Sequence, residues 1–152
     1  MKTAYQTDVV AWANEQAAFI RQGKFDQLDL EHLAEEIEDV GKSEQRELAS
    51  RMAVLLAHLL KYKFQPERNG SSWQSTINNQ RKRIALRLKN TPSLKTVLSN
   101  QDWQIDIWLE AVDIASKETN IHEDIFPEQC LWDMADVLKE GWLPGECDKN
   151  YT

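Results

Sequence analysis

No proline interrupts the chain before Pro66, and inside that stretch Leu30, Leu33, Ile37, Val40, Leu48, Met52, Leu55 and Leu59 return every three, four or seven to eight residues. A stripe with that period is one face of an α-helix. With Asp29 as its N-cap, the stretch predicts a helix of up to about 36 residues, or ~54 Å at 1.5 Å per residue. That is longer than a domain of this size usually keeps straight. Gly41 is the expected bend or break, because glycine costs about 1 kcal/mol in a helix interior. An apolar stripe of this length must be covered by other elements, so the rest of the chain has to supply them.

The other periodic segments are also helical. One follows Thr7 as N-cap, carries Val9, Val10, Ala13, Ala17 and Ile20 on one face, and stops at Gly23. Gln65–Ser72 reads as a loop, after which Ser71 or Ser72 caps a third helix with Trp73, Ile77, Ile84 and Leu88 on its apolar stripe. Pro92 ends or redirects it. A short helical piece over Ser93–Ser99 precedes a fourth long helix, capped by Asp102 and running through Ile105, Trp108, Leu109, Val112 and Ala115 to about Thr119. Asn120–Trp132 is irregular, and Asp133 caps a last short helix ending at Gly141. Nothing alternates with period two for long enough to be a strand. The expected fold is all-α: an antiparallel bundle of about four long helices with a short C-terminal helix, in one helical domain over residues 1–152, the C-terminal part lying over it as a lid. At 152 residues, 41% hydrophobic and with nine Gly plus Pro, the chain can bury roughly 70% of its unfolded surface without metal or disulfides.

The longest apolar run, Met52 to Ala57, is far short of the ~20 residues of a bilayer helix, and the first residues lack a signal-peptide core. Cys130 and Cys147 form no CxxC unit. These features lead to the expectation of a cytoplasmic protein with reduced cysteines and no membrane partner.

Net charge is −7, but Lys61–Lys95 holds nine bases and one acid, Glu67, so that segment is +8 and the remainder −15. A block of this kind needs an explanation. One is internal: the basic third helix packs against acidic neighbours, with Arg81 reaching Glu44, Glu36 or Glu47. The other makes Lys82, Arg83, Arg87, Lys89 and Lys61 a phosphate-contacting face, with Trp73 stacking on a base. No helix-turn-helix, zinc-finger or RNA-binding motif accompanies those residues, so nucleic acid ranks below a protein partner.

Polar residues also fall where apolar ones belong. Glu44, Arg51 and His58, spaced seven apart, share the helix sector of Leu33, Ile37, Leu48 and Leu55, and Arg81 lies close to the stripe of the third helix. Burying a lone charge costs several kcal/mol, so such residues pair, titrate or bind a ligand. Glu36, Glu44, Arg51, His58 and Arg81 are therefore either a structural ladder or a polar cleft with His58 as base or ligand. Asp29, His32, Glu35 and Glu36 offer metal-ligand types, yet no Glu-x-x-His occurs, and no metal or cofactor is expected. Neither a Ser-His-Asp order, a glycine-rich phosphate loop nor HExxH is present.

The run Leu28-Asp29-Leu30-Glu31-His32-Leu33-Ala34-Glu35-Glu36-Ile37-Glu38, followed by Gly41-Lys42-Ser43-Glu44, resembles the signature of the bacterial domain-of-unknown-function family 29, frequent in cyanobacteria. His58-Leu59-Leu60-Lys61, Gln65-Pro66-Glu67-Arg68, Ser72-Trp73, Thr76-Ile77 and Gln80-Arg81 resemble its central block, and Pro92-Ser93-Leu94, Glu118-Thr119 and Phe126-Pro127 continue the likeness. His32 stands where asparagine is more usual, and Leu131 where proline is common. The resemblance implies a small helical protein and carries no activity with it. Together with six tryptophans, a residue type enriched at interfaces, these readings lead to a non-enzymatic module that binds a protein partner or a second copy of itself through tryptophan-bearing faces. The alternative is a hydrolase or nucleic-acid-processing protein built around Glu44, His58 and Arg81.

Overall fold

The computed structural model describes residues 3–68 and 70–145; Cys147 lies outside them. The described residues form five α-helices and four 3-10 segments, with no strand. The helices are α1 (Val9–Arg21), α2 (Leu30–Phe64), α3 (Ser71–Asn90), α4 (Gln101–Thr119) and α5 (Met134–Leu138). The fold is all-α, with four long helices and a short C-terminal one, which fits a helical bundle. The chain divides into two compact units, Met1–Glu44 and Gln45–Thr152.

Local chemistry sets the helix ends. Asp29 caps α2, its carboxylate accepting from the His32 amide at 3.4 Å, and Asp133 caps α5 by accepting from Ala135. Gly23 (φ 74°) and Gly141 (φ 80°) both follow a helix in left-handed conformations that favour glycine. Three caps differ from expectation. The α1 cap is Asp8, not Thr7, because its carboxylate accepts from the Ala11 amide at 3.0 Å. The α4 cap is Asn100, whose side chain accepts from Trp103, leaving Asp102 in the first turn, where the helix dipole favours its charge. Gly70, with extended backbone and no capping side chain, precedes α3 in place of Ser71 or Ser72. Gly41 does not break α2, whose hydrogen-bonded residues run 35 long. Once a helix is nucleated, each further residue adds a bond, and that gain absorbs one glycine.

In the second unit the core is built on the C-terminal half of α2. Leu48, Met52, Leu55, Leu56, Leu59 and Leu60 are sealed against Ile77 and Ile84 of α3, and Ile107, Trp108, Ala111 and Ala115 of α4, with Phe126 and Val137 joining from the C-terminal part. Burial of both Leu55/Leu59 and Leu56/Leu60 means that this half is covered nearly all round, which is why its sequence turns almost wholly apolar. Each fully buried leucine contributes about 1.5–3 kcal/mol relative to an exposed one. Arg87 of α3 pairs with Glu47 and Gln80 meets Arg51, so α3 runs antiparallel to α2. The 3-10 stretch Pro92–Ser99 then turns the chain into α4.

In the first unit α1 lies on the start of α2. The carboxylate of Asp29 accepts from the Trp12 indole at 3.1 Å, and its amide donates to the Gln16 side chain at 2.8 Å. Tyr5 stacks on His32 with ring centroids 4.3 Å apart, and Trp12 meets Tyr5 edge-on.

Candidate functional site

Each polar residue singled out from sequence has a definite environment. In the first unit Glu36 accepts a short hydrogen bond from the Tyr5 hydroxyl, and that bond, with the surrounding acids, pushes the phenol up to about 12. Glu44 is half-buried. His32 donates from Nδ1 to Asp29 at 2.7 Å, which raises the histidine above its ordinary value and lowers the aspartate. Asp29 thus ties α2 to α1 through Trp12 and Gln16, while Glu36 and His32 hold Tyr5, just before α1. Among the described residues, no group of three or more His, Cys, Asp or Glu is arranged to hold a metal.

In the second unit Arg51, His58 and Arg81 bond to three different sets of partners. Arg51 reaches Glu47 at 3.2 Å and Gln80 at 3.4 Å. His58 donates from Nδ1 to the Val54 carbonyl at 2.9 Å, one turn back on its own helix, and burial pushes its imidazole below the ordinary value. Arg81, only 6% exposed, does not reach an acid of α2. Its Nε donates to the Val137 carbonyl at 2.9 Å and its Nη2 to the Trp142 carbonyl at 2.6 Å, so it ties α3 to the C-terminal segment. The acid that α3 does reach is Glu47, through Arg87 at 2.5 Å. A cleft of about 370 Å³ opens beside this clamp, lined in part by Asn78, Arg81, Lys82 and Glu140.

One cluster escaped the sequence reading. Lys61, 6% exposed, forms a short ion pair with Glu118 of α4 and lies 5.2 Å above the Trp73 ring, while Gln65 bonds the Thr119 carbonyl. These residues sit in His58-Leu59-Leu60-Lys61, Ser72-Trp73 and Glu118-Thr119, so the family-like strings were the available signal. The arrangement leaves Trp73 covered by a cation, and Arg87 committed to Glu47. Three of the six nucleic-acid candidates, Lys61, Arg87 and Trp73, are thereby engaged inside the unit, while Lys82, Arg83 and Lys89 are exposed. A second cleft, about 430 Å³, is lined by Gln104, Ile105, Trp108 and Cys130 among others. Burial raises the Cys130 thiol, which makes it a poor nucleophile at neutral pH.

The tryptophans do not form an exposed face. Trp12 and Trp108 are buried, and Trp73, Trp103, Trp132 and Trp142 are half-buried, packed within their own units. Exposed apolar surface is found elsewhere. In the first unit Trp12 is the one large apolar side chain fully buried among the described residues, whereas Leu30, Ile37 and Val40 of α2 are 69%, 71% and 68% exposed. Val9, Val10, Ile20 and Phe25 are exposed in the same unit. At ~100° per residue Leu30 and Ile37 lie about 160° and 140° round α2 from His32 and Val40 about 80°, so the Leu30–Ile37 end of the stripe faces away from the His32 side. Residues 1–44 hold ten acids against four bases, net −6, and Glu31 and Glu38 are exposed along the Leu30 side of the stripe, about 80–100° round α2 from Leu30.

A family model described as "Domain of unknown function DUF29" matches residues 4–143. The match spans nearly the whole chain, and the chain belongs to that family. No curated protein and no solved structure matches it.

Proposed function

We propose that this member of the DUF29 family works by binding, as a non-enzymatic cytoplasmic interaction module, and that its first unit receives an amphipathic helix with basic rims. The observation that carries the reading is the imbalance within that unit: one large apolar side chain fully buried, and seven exposed. A helical pair with so little core draws its stability from what packs on its apolar face, and contiguous exposed apolar surface marks a docking site. The stripe Leu30–Ile37–Val40 has an i, i+7, i+10 spacing, which keeps its members on one side of α2 for a helix lying along it. Its length is ~15 Å at 1.5 Å per residue. The exposed acids Glu31 and Glu38 select the sign of the partner, because opposite charges at the rim speed association and like charges suppress it.

The test uses two synthetic helical peptides with the same leucine stripe, one rimmed by lysine and one by glutamate, titrated against the full chain by fluorescence anisotropy. The lysine-rimmed peptide binds the wild type, and affinity drops at least about tenfold for the glutamate-rimmed peptide and for an Ile37→Asp variant. Equal binding of the two peptides, or binding unchanged by Ile37→Asp, overturns the reading.

A further inference from the structure

Internal pairing uses only part of the basic block. Lys61 is held by Glu118, Arg87 by Glu47, and Arg81 gives its guanidinium to two carbonyls. Lys82, Arg83 and Lys89 are left exposed on α3, and between them Leu86 is 57% exposed. At ~100° per residue, Lys82, Leu86 and Lys89 fall within about 60° of one another, with Arg83 about 60° to the other side of Leu86. An apolar residue rimmed by three cations on one helix face is the complement of an apolar stripe flanked by carboxylates. The chain therefore carries both halves of one interface.

We propose that the helix received by the first unit is α3 of a second copy, so that Leu30 and Ile37 of one protomer pack on Leu86 of its partner while Glu31 and Glu38 face Lys82 and Lys89. The inference rests on the docking reading above and names its partner. Pairing two first units through the same stripe is disfavoured, because it brings the rim acids Glu31 and Glu38 of both copies to one interface. Two different patches make the contact heterologous, so it propagates from copy to copy unless the rotation closes a ring. It also weakens with salt, since the rim charges are exposed and screened.

Sedimentation of the full chain at low salt, with circular dichroism to verify helicity, tests this with two variants: Ile37→Asp, and the triple change Lys82→Glu, Arg83→Glu, Lys89→Glu. All four positions are exposed, so neither variant removes core packing. Wild-type mass rises with concentration past that of a dimer, and each variant alone weakens association by at least about tenfold. An equimolar mixture of the two variants restores association but stops at a dimer, because it offers one intact stripe and one intact basic face. A wild type that stays monomeric, or a mixture that does not associate, overturns the second copy as partner and leaves the peptide result above standing. Association lost on Ile37→Asp but untouched by the triple change also overturns α3 as the occupant while keeping the stripe. Association indifferent to both variants overturns the stripe as well.

Discussion

Replacing Arg81 by methionine keeps most of the stem and removes the guanidinium, which isolates what the buried charge contributes. Two charge-assisted hydrogen bonds are lost, to the Val137 carbonyl at 2.9 Å and the Trp142 carbonyl at 2.6 Å. Each such bond is worth about 1.5–3 kcal/mol. Val137 lies in the last turn of α5, whose terminal carbonyls have no partner within the helix, so a cation there also answers the helix dipole. The expected loss is about 3–5 kcal/mol, a large share of the roughly 5–15 kcal/mol that holds a domain together. The damage has a local signature, because Trp142 packs edge-on to Trp132 at 5.8 Å, and Trp132 on Trp108 at 5.6 Å. Urea unfolding followed by tryptophan fluorescence and by far-ultraviolet circular dichroism therefore shows a red-shifted emission in Arg81→Met at urea concentrations where helicity is intact. Arg81→Lys, with one ammonium in place of a fork that spans both carbonyls, falls between the two. A Met variant within about 1 kcal/mol of wild type, with unshifted emission, refutes the clamp and returns Arg81 to the cleft it lines as a candidate ligand group.

Two further outcomes follow from the same geometry. Gly41 is helical, exposed and has nothing within 4 Å of where a Cβ would stand, so Gly41→Ala stabilises by about 0.5–1 kcal/mol in urea unfolding; a loss of stability refutes an unbroken α2. His58 is held below the ordinary histidine value, chiefly by burial and further by Lys61, with Val54 and Glu118 opposing. A folded-state value below the unfolded one gives stability that is complete above about pH 6.5 and is lost as pH falls through the folded value. His32, raised by Asp29, has the opposite sign: its contribution is complete below about pH 6.5 and is lost as pH rises through the folded value. The readout is therefore the difference between wild type and His58→Gln, which loses less stability than wild type on acidification; parallel pH profiles refute the assignment.

The sequence carries the helices because helix formation is a local problem. Asp29, Asp133, Gly23 and Pro92 act where their own chemistry places them. The caps that move, from Thr7 to Asp8 and from Asp102 to Asn100, do so where two acceptors lie within two residues, and the choice between them depends on where the apolar face meets its neighbours. Polar residues are harder. Arg51 and Arg81 both break an apolar stripe, yet one turns to Glu47 and Gln80, the other to carbonyls some sixty residues along the chain. Nothing in periodicity records a carbonyl.

The same limit explains the stripe. Leu30, Ile37 and Val40 repeat with the period of Leu48, Leu55 and Leu59, and on a helical wheel the two sets are alike. Period states which side of a helix a residue occupies and is silent on what covers that side. From Leu48 onward α3, α4 and the C-terminal segment supply the cover. Before Glu44 the described cover is α1, bonded through Asp29, and Tyr5, bonded to Glu36, which leave Leu30, Ile37 and Val40 exposed. One uninterrupted pattern therefore serves two ends. Its second half is a core that the chain completes itself, and its first half keeps the chemistry of a core while remaining at the surface. A surface with that pattern and an acidic rim is what a helix of opposite charge would complete, and α3 offers such a helix face.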